Sequence, residues 1–278
     1  MRLTTPPPSR RHLTSLKLQS RDVELLTLLL NHFSLLTRRQ VSELYPERGV
    51  RRTNRRLRSL ISAGYLSQRI PTTYLIREIP LYFVGPRAYE ALDLDPRDPR
   101  ILARRKQAAH LRERALPHFV LTNAVHIKFL MAEHCVPDYK LLTWIPSEDG
   151  IWNRLAEFGF ALRPDAYIEY RKDDVQFSVF LELDRATERA PRLHDKLAAY
   201  NDYALSGSFQ HHFAADRFRV LFIPPTARRR EYLLRAMNSS TPGLFFCNAF
   251  QEFFSMPLFD AQWRSNESDV LLSLSTPL

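Results

Sequence analysis

The sequence has 278 residues, 45% of them apolar and 25% charged, and a formal net charge of +10. That length accommodates two modest domains. Two cysteines exclude a disulfide framework and a Cys-rich zinc site, and no run of about 18 apolar residues offers a membrane-spanning helix.

The charge is uneven. Residues 1–115 carry 23 Lys and Arg against 10 Asp and Glu, a net +13, while residues 116–278 carry a net −3. A local positive field of that size favours a polyanion, most simply nucleic acid. Residues 1–17, rich in Pro and Arg, read as a flexible basic arm. They contain no hydrophobic core of the export-signal type, so the expectation is a cytoplasmic protein with no membrane association.

Residues 18–95 read as a DNA-binding domain. From Ser20, "SRDVELLTLLLNHFSLLT" has a helical stripe at Leu25, Leu28, Leu29 and His32/Phe33. Ser20 is the expected cap, with Asp22 and Glu24 in the first turn, where the helix dipole favours anions. Thr37 with Gln40 three residues on is a capping-box signature for a short second helix, and "PERG" breaks the chain at Pro46 and Gly49. The third helix, "VRRTNRRLRSLISAG", buries Leu57, Leu60 and Ile61 and ends at Gly64. Its other faces carry Arg51, Arg52, Asn54, Arg55, Arg56 and Arg58. A short helix, a tight turn and an Arg-rich helix are the parts of a helix-turn-helix that enters a major groove. Arg reads guanine edges or holds phosphates, and Asn reads adenine. Two strands with a turn follow, the wing of a winged helix, with Arg69 and Arg77 within reach of backbone phosphates. "PRAYEALDL" closes the domain as a short helix. The bland alternative is a solvated basic face. Five Arg in eight positions would repel strongly without a polyanion, which favours duplex DNA as the partner.

Residues 96–115, rich in Pro and charge, read as a linker, and 116–278 as a second domain. It opens with a helix, "LPHFVLTNAVHIKFLMAEH", expected to pack on the sheet that follows. His110, His118, His126 and His134 recur every eight residues, a step of about 80° on a helix, so they share no face and suggest no metal site. Four strands are readable: "YKLLTWIP", "DAYIEY", "FSVFLELD" and "RFRVLFIP". A helix with Leu193, Leu197, Tyr200 and Ala204 in its stripe lies between the third and fourth. "ARRREYLLRAM" is a further helix and "PGLFFCNAFQEFFSM" an apolar edge element. The expected fold class is α+β in two domains, the second an α/β sandwich on a mixed sheet.

Three acids sit in this apolar setting. If Asp173-Asp174 forms a two-residue hairpin loop, Asp165 lies opposite Glu182 and both share a face. Asp184, two residues on, shares it too. A one-residue change in the loop would turn Asp165 to the other face. Converging carboxylates call for a divalent cation, and hard oxygen ligands suit Mg²⁺ or Mn²⁺. Such a metal polarises a phosphoryl group and activates water. Lys196, on the flank of the buried stripe, is placed to reach the carboxylates and stabilise charge. The simpler reading is an ion-pair network of these acids with Arg163, Arg185, Arg189 and Lys196. Spacing alone leaves both open.

The string "RPDA", a hairpin, "FLELDRATE" and then a helix with "KLAAYNDY" resembles the replication-relaxation family, and a preceding winged helix fits it. The resemblance implies a protein of plasmids or other mobile elements, linked to DNA replication and relaxation, with replication or relaxase proteins as candidate partners. The same segment is similar to the PD-(D/E)xK nuclease superfamily, which implies a restriction-endonuclease-like fold. Pro164-Asp165 and Glu182 match its motif, with Asp165 and Glu182 as metal ligands, Asp184 as a third ligand or a base, and Lys196 as a migrated cation. The departure is Asp184, where the motif has Lys. The resemblance therefore implies either metal-dependent DNA hydrolysis or a degenerate site in a non-catalytic transcriptional regulator or replication accessory factor. An enzyme acting on RNA fits less well, because an A-form major groove does not admit a recognition helix. A homodimer is compatible with a winged helix.

Overall fold

The computed structural model describes residues 16–72, 80–160, 162–186, 190–213, 215–267 and 271–276. The chain divides into two units between Ile127 and Lys128. The 96–115 stretch expected as a linker instead carries a helix and belongs to the first unit.

In the first unit, α1 spans Ser20–Leu28 and runs on into a π-helical turn, Leu29–Phe33. Its cap is Gln19, not Ser20: the Asp22 carboxylate accepts from the Gln19 N–H at 2.7 Å. The wider π-turn also changes the buried stripe. Leu25, Leu26, Leu29, Leu30 and Phe33 are buried, Leu28 only half so, and His32 is exposed. A two-residue strand that the sequence does not announce, β1 (Leu36–Thr37), leads into α2 (Arg38–Leu44). There the expected capping box forms. Thr37 Oγ1 accepts from the Gln40 N–H at 3.2 Å, and Gln40 Oε1 from the Thr37 N–H at 3.0 Å.

Helix α3 (Gly49–Ser62) buries Thr53, Leu57 and Leu60. Gly64 ends it at φ 79°. The Tyr65 N–H donates to Leu60 O and the Gly64 N–H to Ile61 O, both at 2.9 Å, which is a Schellman closure. The strands β2 (Leu66–Arg69) and β3 (Leu81–Val84) then pair antiparallel, with Leu66 opposite Val84 and Arg69 opposite Leu81. Strand β1 pairs on the other side of β3, giving the order β1-β3-β2. Arg77 and most of the basic arm lie outside the described residues. Helices α4 (Pro86–Ala91) and α5 (Pro99–His110) follow. Helix α6 (Leu116–Ala132) begins in this unit, where Leu116 packs with Leu35 and Leu81. Its buried Asn123 donates to Leu35 O at 2.7 Å. The expectation that this helix packs on the large sheet therefore holds only for its last turns.

The second unit is built on a mixed seven-stranded sheet, ordered β10-β9-β8-β7-β6-β5-β4. Its elements in chain order are β4 (Tyr139–Pro146), α7 (Ile151–Glu157), β5 (Ala166–Lys172), β6 (Val175–Glu182), α8 (Ala190–Leu205), α9 (Phe209–His212), β7 (Arg219–Phe222), α10 (Ala227–Met237), β8 (Phe245–Cys247), α11 (Phe250–Ser255), β9 (Trp263–Ser265) and β10 (Leu271–Leu272). The four expected strands are β4 to β7. The segment read as an edge holds β8, an interior strand between β7 and β9. Strands β6, β7 and β8 run parallel, connected through α8 and α10. Both helices pack on one sheet face, where Leu193, Leu197, Tyr200 and Leu233 meet Phe180 and Phe222. On the other face, Phe129 of α6 meets Trp144 and Tyr170.

Candidate functional site

The site begins with the β5–β6 hairpin. Lys172 pairs with Val175 and Ala166 with Leu181, so Asp173 and Asp174 form the two-residue loop. Asp173 takes the left-handed φ of 54° that this short loop requires. The ladder stops at Ala166, where the Asp165 N–H donates to Leu181 O at 2.9 Å instead of continuing the pairing. Asp165 lies near enough to Glu182 for its charge to act on that carboxyl. Leu181 and Leu183, on the strand's other face, are buried.

Glu182 is buried at the carboxyl end of β6, with 4% of its surface exposed. Lys196 Nζ, on α8, donates to its Oε2 at 2.8 Å. Tyr200, one turn further along α8, donates its hydroxyl to Oε1 at 2.7 Å. Burial pushes the Glu182 carboxyl up to about 7, opposed by the Lys196 ammonium and reinforced by the Asp165 charge. Asp165 is half-buried, and its Oδ2 accepts from the Leu183 N–H at 2.6 Å. It thereby ties the two strand ends together.

Asp184 departs from the expected triad. It lies past the end of β6, and its Oδ2 accepts from Arg229 Nε of α10 at 2.5 Å. Its Oδ1 accepts from the Ala186 N–H at 2.7 Å. The structure thus brings Asp165, Glu182 and Lys196 together and directs Asp184 to a different cation. Among the described residues no group of three or more His, Cys, Asp or Glu converges on a metal geometry. Arg189, named in the ion-pair alternative, lies outside the described residues.

In the first unit the arginines of α3 also separate into two sets. Arg51, Arg52, Arg55 and Arg58 are exposed, and Asn54 is half-buried. Arg56 is internal. Its Nε donates to both Asp22 oxygens at 2.9 and 3.1 Å, its Nη2 also pairs with Asp22, and Nη2 donates to Lys17 O at 2.9 Å. Arg69, half-buried, donates to Ala108 O at 3.5 Å. Arg56 and Arg69 are therefore engaged by the protein's own acceptors.

The replication-relaxation family profile matches residues 26–215, more than half of the sequence. The chain belongs to the replication-relaxation family. The matched span runs from α1 to just past α9 and contains Asp165, Glu182, Asp184 and Lys196. It stops short of α10, so Arg229 lies beyond the replication-relaxation match. Sequence reading placed Arg229 only on a helix. Its signal was the Arg228–Arg230 run at the helix start, but nothing local names Asp184 as its partner. Tyr200 was read as core, and its hydroxyl's role depends on the neighbouring strand.

No curated protein matches the chain at the level required of a relative. Two solved structures resemble it weakly. Restriction endonuclease FokI bound to DNA gives a TM-score of 0.29 at 10% identity, covering 84% of this chain and 43% of FokI. A second FokI structure gives 0.28 at 13% identity, covering 82% and 41%. The chain thus spans about two fifths of the length of those structures.

Proposed function

We propose that this replication-relaxation protein binds duplex DNA through its first unit and hydrolyses a phosphodiester at the Asp165–Glu182 site of its second. The observation that carries the reading is the buried Glu182 carboxylate. It is held by Lys196 at 2.8 Å and Tyr200 at 2.7 Å, within electrostatic range of the Asp165 carboxylate, at the carboxyl end of β6. Buried acids with displaced pKa values beside a cation cluster at functional sites.

The order of elements in the first unit supports reading it as a winged helix-turn-helix. Helices α2 and α3 are joined by a tight turn, and a small antiparallel sheet follows. Arg51, Arg52, Arg55 and Arg58 form the exposed face of α3. That face suits a major groove, with Asn54 at its margin.

Mg²⁺ and Mn²⁺ are commonly bound by one or two carboxylates, with water and substrate phosphate completing the shell. Asp165 and Glu182 are carboxylates of that type, with Lys196 and Tyr200 on the Glu182 oxygens and the Leu183 N–H on Asp165 Oδ2; Asp184 is turned to Arg229. A bound divalent ion would supply Lewis-acid polarisation of the phosphoryl group. The chain's own residues set the rest. Tyr200 fixes the orientation of Glu182, Asp165 anchors the backbone of Leu183, and Lys196 offers positive charge to a developing oxyanion. The setting this implies is the cytoplasm of a cell carrying a plasmid or other mobile element, alongside replication or relaxase proteins.

Incubating the full chain with supercoiled plasmid in Mg²⁺ or Mn²⁺ tests this. Nicking or linearisation is expected, lost in Asp165→Asn and Glu182→Gln while DNA binding persists. Binding without cleavage under any metal would leave the second reading: a non-catalytic transcriptional regulator or replication accessory factor. The engagement of all three carboxylates by protein donors favours that alternative.

A further inference from the structure

At the carboxyl ends of β6 and β7 one arginine is held more firmly than its ion pair requires. Arg229 lies in the first turn of α10. Thr226 caps that helix, its hydroxyl accepting from the Arg229 N–H at 3.2 Å. The guanidinium packs against the Tyr232 ring, 4.6 Å from its centroid. Asp184 takes only Nε, at 2.5 Å, and spends its other oxygen on the Ala186 N–H. A guanidinium fork matches a carboxylate or phosphate through two parallel bonds. Here the contact with Asp184 is single. Nη2 is buried with no acceptor among the described residues, while 17% of the side chain as a whole reaches solvent. A buried donor left unsatisfied is costly, and a guanidinium that keeps part of its surface in solvent can meet that need with an oxyanion brought by a ligand.

The surroundings point to the same ligand class. Arg163 stands two residues before Asp165, Arg185 directly follows Asp184, and Arg228 directly precedes Arg229. All three are exposed. Residues 116–278 carry a net charge of −3, so these cations are not part of a generally basic surface. Arg163 precedes β5, Arg185 follows β6 and Arg228 lies in the first turn of α10.

We propose that Arg229 is a DNA-phosphate contact of the second unit, that Asp184 is its positioning residue, and that Arg163, Arg185 and Arg228 extend the backbone-tracking surface around it. This rests on the DNA-binding part of the proposed function and does not require cleavage. It also gives a reason for the acid at 184. Where the nuclease motif carries a Lys on the strand, this chain carries a carboxylate that recruits a cation from α10.

The test is the salt dependence of duplex binding by the full chain, read as the slope of log affinity against log salt. Arg229→Gln is expected to lower the magnitude of that slope by about 0.9, one phosphate contact, whereas Arg229→Lys retains it. Asp184→Ala reproduces the loss, and Asp184→Asn, whose amide oxygen still accepts from Nε, retains the slope. Should Arg229→Gln fail to fold, the exposed triple variant Arg163→Ala/Arg185→Ala/Arg228→Ala carries the test, with a fall of up to about 2.7. Wild-type slope and affinity in both Arg229→Gln and the triple variant would overturn the proposal. Tighter binding by Asp184→Ala would overturn the positioning role. If Arg55→Ala/Arg58→Ala moves the slope and the second-unit variants do not, this inference falls alone. If the unaltered chain binds no duplex, the DNA-binding reading falls and takes this one with it.

Discussion

Lys196 and Glu182 form a buried ion pair 2.8 Å long between α8 and the last residue of β6. Only 5% of the Glu182 side chain and 25% of the Lys196 side chain are exposed. Coulomb attraction between them is opposed by the cost of taking both charges out of water. The pair is therefore expensive to break from one side and cheap to replace as a unit.

Removing the cation alone strands the carboxylate. Lys196→Met is expected to destabilise the protein by about 3 kcal/mol, measured as a lower midpoint in urea denaturation. Combining it with Glu182→Gln, which keeps an acceptor for Tyr200, should recover most of that loss. Equal stability for Lys196→Met and the unaltered chain would mean that the pair does not hold β6 to α8.

The α3 arginines should divide functionally as they divide structurally. Arg51→Ala/Arg55→Ala/Arg58→Ala removes three exposed cations, and the salt slope of DNA binding should fall by up to about 2.7 with little change in melting temperature. Arg56→Ala leaves Asp22, 3% exposed, without its cation and with only the Gln19 N–H donating to it among the described residues. It should cost about 3 kcal/mol of stability and leave the slope of the folded fraction unchanged. The opposite pattern, a stable Arg56→Ala protein with a reduced slope, would make Arg56 a DNA contact.

Gly64 closes α3 at φ 79°, a conformation that favours residues without a Cβ. A Cβ there would also stand 3.3 Å from Arg87 Cδ, a side chain able to give way. Backbone strain thus dominates, and Gly64→Ala should cost about 1–2 kcal/mol. Thermal unfolding of the full chain measures this. An unchanged transition would mean that the helix end relaxes out of the Schellman closure.

Much of the candidate site was legible because its geometry is local. The two-residue loop at Asp173-Asp174 sets the hairpin register from Lys172–Val175 to Ala166–Leu181, while the Asp165 backbone leaves that ladder. Helical spacing put Lys196 on the flank of the Leu193, Leu197 and Tyr200 stripe, from which it reaches the strand. The Thr37–Gln40 capping box and the Gly64 stop follow from chemistry within four residues. The short β1, β9 and β10 were not legible. Strands of two or three residues carry too little alternation to separate them from loops.

By itself the sequence determined the Thr37–Gln40 cap, the Gly64 stop and the alternation along β5 and β6, since these depend on backbone period and neighbouring donors. It misplaced the α1 cap and missed α5. Only the tertiary structure decided which charge meets which. Asp22 finds Arg56 across 34 residues and Asp184 finds Arg229 across 45. The second pairing exists because the parallel crossover through α8 lays β7 beside β6, so that α10 starts at the strand end where Asp184 emerges. A carboxylate's spacing along the chain fixes the direction it points. Its chemical role depends on the partner that folding brings to meet it.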